Sequence, residues 1–181
     1  MSHGGDNGEI AAADKFYNVE ELWENFLGDN CKSLIGKPKL FFIQACRGKN
    51  IDPGVSLKHK FSDELQVDST ETVNVIPKLA DFLVMYATAE SHYSFRNNTH
   101  GSWFIQALCK ELKNGLQENF MDILTRVNKS VAFEKQSNNP NNIELDGAKQ
   151  MPCIVSMLTK SIFFLDKSST SVDSLLSDGS Y

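Results

Sequence analysis

Two apolar runs constrain this chain more than any other feature: residues 40–43, Leu40-Phe41-Phe42-Ile43, and the run from Phe82 to Ala87 that follows Asp81. A strand wetted on one side alternates apolar with polar residues, whereas these runs offer apolar side chains to both faces. They predict strands covered on both sides, and the chain must supply helices to cover them. Three helical patterns meet that need. Val19, Leu22, Trp23, Phe26 and Leu27 fall at helical spacing, with Asn18 placed as a cap, Glu21 three residues on and Gly28 at the end. Ser102 is placed to cap a second helix through Ala107, Leu108 and Leu112 to Gly115. Phe120, Ile123, Leu124, Val127 and Val131 mark one face of a third. Further strands are expected at residues 153–158 and 162–165. Strands alternating with helices give an α/β class with a mostly parallel central sheet between helical layers.

The stretch between the two runs, residues 52–74, is polar and without sustained period, and reads as an exposed linker. Residues 167–181 are rich in Ser and Asp and read as a disordered tail. The net charge of −5, with Lys and Arg scattered, offers no basic stripe for nucleic acid or a membrane surface. No apolar run approaches the length of a bilayer span, and Met1 is followed by polar residues rather than by a signal sequence. The cysteines Cys31, Cys46, Cys109 and Cys153 are far apart and form no C-x-x-C pair. That spacing points to free thiols in a reducing cytoplasm, with no metal or other cofactor expected.

One of those thiols stands in a reactive context. The run 40–43 delivers Cys46 to a loop between Gln44 and the pair Arg47-Gly48, where open α/β sheets place their sites. A thiol with a pKa near ~8.5 is mostly protonated at neutral pH and needs a basic partner to become a nucleophile. His3, in Ser2-His3-Gly4, is the candidate. Gly4 has no side chain to keep its N–H from a substrate carbonyl, so with the Cys46 N–H it can form an oxyanion hole. The other cysteines, and His59, His92 and His100, have no such context and read as packing or surface residues.

Gln44-Ala45-Cys46-Arg47-Gly48, with His3 43 residues upstream, resembles the caspase signature. The resemblance covers about residues 3–165. Tyr93-Ser94-Phe95-Arg96-Asn97 and Gly101-Ser102-Trp103-Phe104 are similar to the substrate-binding loop and following helix of caspases. Cys31-Lys32-Ser33-Leu34-Ile35-Gly36-Lys37-Pro38-Lys39, Ile123-Leu124-Thr125-Arg126-Val127-Asn128 and the string from Lys149-Gln150-Met151-Pro152-Cys153 to Lys160 are similar to executioner caspases.

The resemblance implies a three-layer caspase-like fold and a cysteine endopeptidase that cuts after aspartate. Residues 1–68 would be the C-terminal part of a large subunit with His3, Gly4 and Cys46, residues 69–166 the small subunit, and 167–181 the tail. Arg96 and Gln44 would line the aspartate pocket, where a planar guanidinium pairs with a carboxylate. Backbone around Ser94 would pair with the extended substrate. Tyr93 and Phe95 would wall the next subsite, with Trp103 and Asn97 beyond. Cleavage between Asp68 and Ser69 by an upstream protease would activate a zymogen, giving a homodimer of processed subunits that executes apoptosis in the cytoplasm. Inhibitor-of-apoptosis-type proteins would be further partners.

The sequence departs from the family in three places. Phe95 stands where the family has tryptophan. The loop 133–142 is rich in Asn where executioners offer aromatic groups. Strands and helices that precede Ser-His-Gly in the family, with a second pocket arginine among them, are expected to be missing from this chain. A second reading follows from that: a catalytically silent homologue that only binds other caspases. A third is a legumain-like or metacaspase-like peptidase, but Arg96 and Gln44 suit no basic substrate.

Overall fold

The structure, a computed structural model, describes residues 1–5, 8–54, 77–97 and 101–164. Asp68, Ser69 and the tail 167–181 lie outside the described residues. In chain order the elements are β1 (Glu9–Ala11), β2 (Phe16–Asn18), α1 (Glu21–Glu24), β3 (Lys39–Ile43), β4 (Phe82–Tyr86), β5 (Arg96–Asn97), β6 (Gly101–Ser102), α2 (Trp103–Asn114), α3 (Phe120–Glu134) and β7 (Cys153–Ser156).

Both apolar runs become strands of one sheet, ordered β3-β4-β7. β3 pairs in parallel with β4, Lys39 opposite Phe82 and Ile43 opposite Tyr86. β4 pairs antiparallel with β7, Leu83 opposite Ser156 and Tyr86 opposite Cys153. The described sheet is thus mixed, with one parallel and one antiparallel junction. Backbone pairing runs one residue past β7, since Met157 N–H donates to Phe82 O and Asp81 N–H to Met157 O, each at 2.8 Å.

The period of two in each strand sorts its side chains between two layers. Leu40, Phe42, Leu83, Met85 and Ile154 face α2 and α3, packing with Phe104, Phe120, Ile123 and Val127. Phe41 turns to the other face, between Trp23 at 5.5 Å and Phe82 at 6.0 Å between ring centres. Ile43, Ala45 and Tyr86 share that face with Ile10 and Val19. β4 is therefore enclosed on both sides, and Phe82, Leu83 and Met85 expose nothing. Burial of each such side chain contributes about 1.5–3 kcal/mol, which is why this strand tolerates no polar alternation. β3, expected as an interior strand, is half-buried along residues 40–43. Beyond its end, Ser2 N–H donates to Gln44 O at 3.0 Å.

α2 and α3 form where the pattern places them. The Ser102 hydroxyl accepts from Ile105 N–H, and the Asn119 side chain accepts from Met121 N–H, so each first turn has a capped donor. The helix expected from Asn18 to Gly28 shortens to Glu21–Glu24. Its start also moves: the cap position is Glu20, with no side-chain bond of its own, while Asn18 before it accepts from Glu20 N–H through Oδ1 and donates its N–H to the Glu21 carboxylate. After one turn the chain tightens, with Phe26 N–H on Trp23 O and Leu27 N–H on Glu24 O. Asn30 Nδ2 donates to the same Glu24 carbonyl, at 2.7 Å. The apolar face survives the change, because Trp23 and Phe26 still pack on Phe41.

Residues 162–164 do not form the expected strand. Ile162 O accepts from Phe120 N–H and Phe164 O from Gln117 N–H, so this segment supplies partners for the start of α3.

Candidate active site

β3 and β4 run parallel, so their C-terminal ends open on the same side of the sheet and carry their loops to one place. The loop after β3 holds Cys46, and the loop after β4 leads to residues 91–97. The two are stitched together by backbone: Arg47 N–H to His92 O, Ser91 N–H to Arg47 O, Asn50 N–H to Ser91 O and Tyr93 N–H to Asn50 O. Gly48 lies at the crossing with φ of 151°, and a Cβ there would sit 2.4 Å from Ser91 O. Backbone strain and collision together explain why a glycine closes the Gln-Ala-Cys-Arg-Gly string. Arg47 lays its guanidinium 4.1 Å over the Tyr86 ring, which braces the loop and turns it away from the cleft.

The chain start is tied to the same end of the sheet. Ala11 N–H donates to His3 O at 2.8 Å, and Gly4 bridges Ile10. A Cβ on Gly4 would lie 1.8 Å from Cys46 O. Gly4 therefore sits directly against the backbone of Cys46.

A cleft of about 340 Å³ opens here, lined by Ser2, His3, Gln44, Cys46, Ser94 and Arg96. The predicted histidine, cysteine, glutamine and arginine share this one space. The Cys46 sulfur receives Ser94 N–H at 3.4 Å and lies 3.7 Å from both Ser94 O and Ser94 Oγ. His3 makes no hydrogen bond to Cys46 among the described residues, where the sulfur's partners are all on Ser94. Gln44 is buried at 7% exposure, with Nε2 on Ser94 Oγ at 3.0 Å and Oε1 accepting from Ser102 Oγ. Its amide thus couples the loop that carries Cys46 to the segment 93–97 and to the head of α2. Arg96 is exposed and gives the cleft its guanidinium.

A second concavity of about 570 Å³ adjoins it, lined by Phe95, Arg96, Asn97 and Trp103 and, across from them, by Ser137, Asn138 and Asn139 among others. Phe95 stacks on Trp103 with ring centres 4.9 Å apart, and Trp103 N–H donates to Phe95 O. Arg96 reaches both spaces. Tyr93 is half-buried and lines neither; its N–H is held by Asn50 O at 3.0 Å. The Ser102 hydroxyl serves Gln44 as well as the helix cap, and only the capping role had a signal in the sequence. No group of His, Cys, Asp and Glu among the described residues is arranged to hold a metal ion. No helix among them is long and apolar enough to cross a membrane.

This cleft can do thiol chemistry. It brings a sulfur, an imidazole and a guanidinium to the walls of one space.

Comparison with known proteins agrees. The family model for the caspase domain matches residues 1–163. Caspase-1 of Spodoptera frugiperda is 43% identical over 170 residues, covering 93% of this chain and 55% of that relative. Caspase-7 of Gallus gallus is 48% identical over 168 residues, 91% of this chain and 53% of the relative. Caspase-3 of Mesocricetus auratus is 47% identical over 165 residues, 91% and 57% respectively. The crystal structure of caspase-1 from Spodoptera frugiperda superposes with a TM-score of 0.80 at 41% identity, covering 93% of this chain and 62% of that one. The chain spans about half the length of the curated relatives it matches.

Proposed function

The chain belongs to the caspase domain family, and on that footing we propose that it provides the catalytic cleft of a cysteine endopeptidase cutting after aspartate. The observation that carries this is the convergence of Cys46, His3 and Arg96 on one cleft. In the proposed reaction His3 takes the thiol proton and Cys46 Sγ attacks the carbonyl carbon that follows the substrate's aspartate side chain. The carbonyl oxygen becomes an oxyanion held by the N–H groups of Cys46 and Gly4. Ser94 N–H, already directed at the sulfur, supports the thiolate before attack. Collapse expels the amine, which His3 protonates, and water then hydrolyses the thioester to free the acid. Arg96 pairs with the aspartate carboxylate and so sets specificity.

The finer reading is an executioner caspase of apoptosis, activated in the cytoplasm by cleavage between Asp68 and Ser69. Assembly into a homodimer is supported by β7. It is one of the two edges of the described sheet, with Val155 exposed at 43%, an arrangement that invites pairing with a second copy. The test is a Cys46→Ala variant of the whole protein assayed on an Asp-containing peptide. Cleavage should vanish while the thermal midpoint stays close to wild type, since the change removes only a sulfur. Retained cleavage would overturn the reading.

A further inference from the structure

Gln150 touches neither cleft, yet it is only 1% exposed and is among the largest fully buried side chains. A buried amide is costly unless both of its ends are satisfied. Here both are. Nε2 donates to Ala87 O at 2.7 Å, one residue past β4, and Oε1 accepts from Phe95 N–H at 2.6 Å. The two bonds join segments 63 and 55 residues away in sequence from Gln150 itself. We propose that Gln150 is a positioning residue for the substrate-binding segment: its amide fixes Phe95 against the end of the central strand, and through Phe95 it places Ser94 and Arg96. This deepens the peptidase reading and rests on it.

The geometry of Phe95 explains why one amide has this leverage. Its N–H is held by Gln150, its carbonyl by Trp103 N–H, and its ring by the Trp103 ring. On one side Ser94 meets the Cys46 sulfur through its N–H. On the other Arg96 lines the cleft. Consecutive Cα atoms are ~3.8 Å apart and the peptide links are planar, so any shift of Phe95 must be taken up in the φ and ψ of the residues beside it, Ser94 and Arg96. The bond requirement is also specific. One end must donate to a carbonyl and the other must accept from an N–H, and at this length only glutamine or a protonated glutamate does both.

The experiment uses two variants of the whole protein. Gln150→Met keeps the length and removes both bonds. Gln150→Glu keeps the acceptor for Phe95, but while ionised it has no proton for Ala87 O; once protonated it restores both bonds. Burial raises the introduced carboxyl's affinity for a proton. The neighbouring cations oppose this: Lys149, whose Nζ is held on Lys135 O, and Arg96 from the exposed side of its segment. The readouts are kcat and KM on an Asp-containing peptide, and hydrogen-exchange protection at Phe95 N–H, from neutral to mildly acidic pH.

Gln150→Met should lower kcat/KM about a hundredfold, the scale expected for an ångström of misplacement, and should deprotect Phe95. Gln150→Glu should resemble it at neutral pH and recover relative to wild type, in both activity and protection, as pH falls. Gln150→Met within threefold of wild type, or Gln150→Glu losses that do not vary with pH, would overturn the proposal. The exchange measurement needs no turnover. An inactive wild type would therefore sink the peptidase reading while the positioning role was still decided at Phe95.

Discussion

Gly4→Ala is the smallest change that should disable the site. Gly4 is absent from the positions with positive φ, so alanine meets no conformational obstacle and the whole effect comes from collision. Its Cβ would lie 1.8 Å from Cys46 O, 2.8 Å from Cys46 C and 3.1 Å from Ala45 Cβ. Cβ atoms essentially never approach others closer than 3.0 Å, so the two backbones must part by about 1.2 Å. Nothing at the contact is a flexible side-chain end that could swing aside. Overpacking of this kind costs about 1–3 kcal/mol of stability, which the protein can survive. Displacing the nucleophile's backbone by an ångström costs about a hundredfold in rate, and one oxyanion donor moves with it. The assay is kcat/KM on an Asp-containing peptide alongside the thermal midpoint and the alkylation rate of Cys46. The expected result is a loss of about a hundredfold or more with a folded protein. Activity within tenfold of wild type would refute the placement of Gly4 against the nucleophile.

Three further outcomes follow from the same structure. Arg96→Ala should lower kcat/KM for an Asp peptide about ten- to a hundredfold, worth about 1.5–3 kcal/mol for bonds to a charged group; the exposure of Arg96 keeps this below the figure for breaking a buried pair, and unchanged kinetics would place the pocket elsewhere. Asp81 is 2% exposed, and hydrogen bonds from Thr159 Oγ1 and N–H, helped by Lys160 and Lys39, hold its carboxyl below the ordinary value. A lowered folded pKa gives stability that is present above the unfolded value near ~3.9 and lost as pH falls through the folded one. Asp81→Asn tolerates the φ of 64°, so it should cost about 1.5 kcal/mol at neutral pH and progressively less in acid; a penalty independent of pH would reject the charge argument. Processing should release a fragment whose N-terminal sequence begins at Ser69, and a different first residue would reject the assigned cleavage point.

The parts of the fold that were legible in the sequence are those where one physical demand dominates. β4 needed apolar residues on both faces and shows them, α2 combines an apolar stripe with the Ser102 cap, and α3 was marked by its stripe, the Asn119 cap emerging only in the folded chain. The helix after Asn18 had a stripe, but beyond Glu24 its backbone passes to the tighter bonds Phe26 N–H to Trp23 O and Leu27 N–H to Glu24 O, which no periodicity reports. The antiparallel placement of β7 was hidden for a similar reason, since an apolar run does not state its direction. At the site, Cys46, His3, Gln44 and Arg96 could be named from motif context, and the structure gathers them in one cleft. Ser102 and Gln150 act by joining distant segments, and only the folded chain shows what their side chains hold.

Covalent trapping probes the proposed roles of Cys46 as nucleophile and Arg96 as the group that directs it to aspartate. An aspartyl chloromethyl ketone peptide alkylates a thiolate with loss of chloride, and mass spectrometry of the tryptic peptide 40–47 locates the adduct. A single adduct is expected on Cys46, formed much more slowly in Arg96→Ala. Labelling of the exposed Cys109 with Cys46 untouched, or equal rates in wild type and Arg96→Ala, would contradict it.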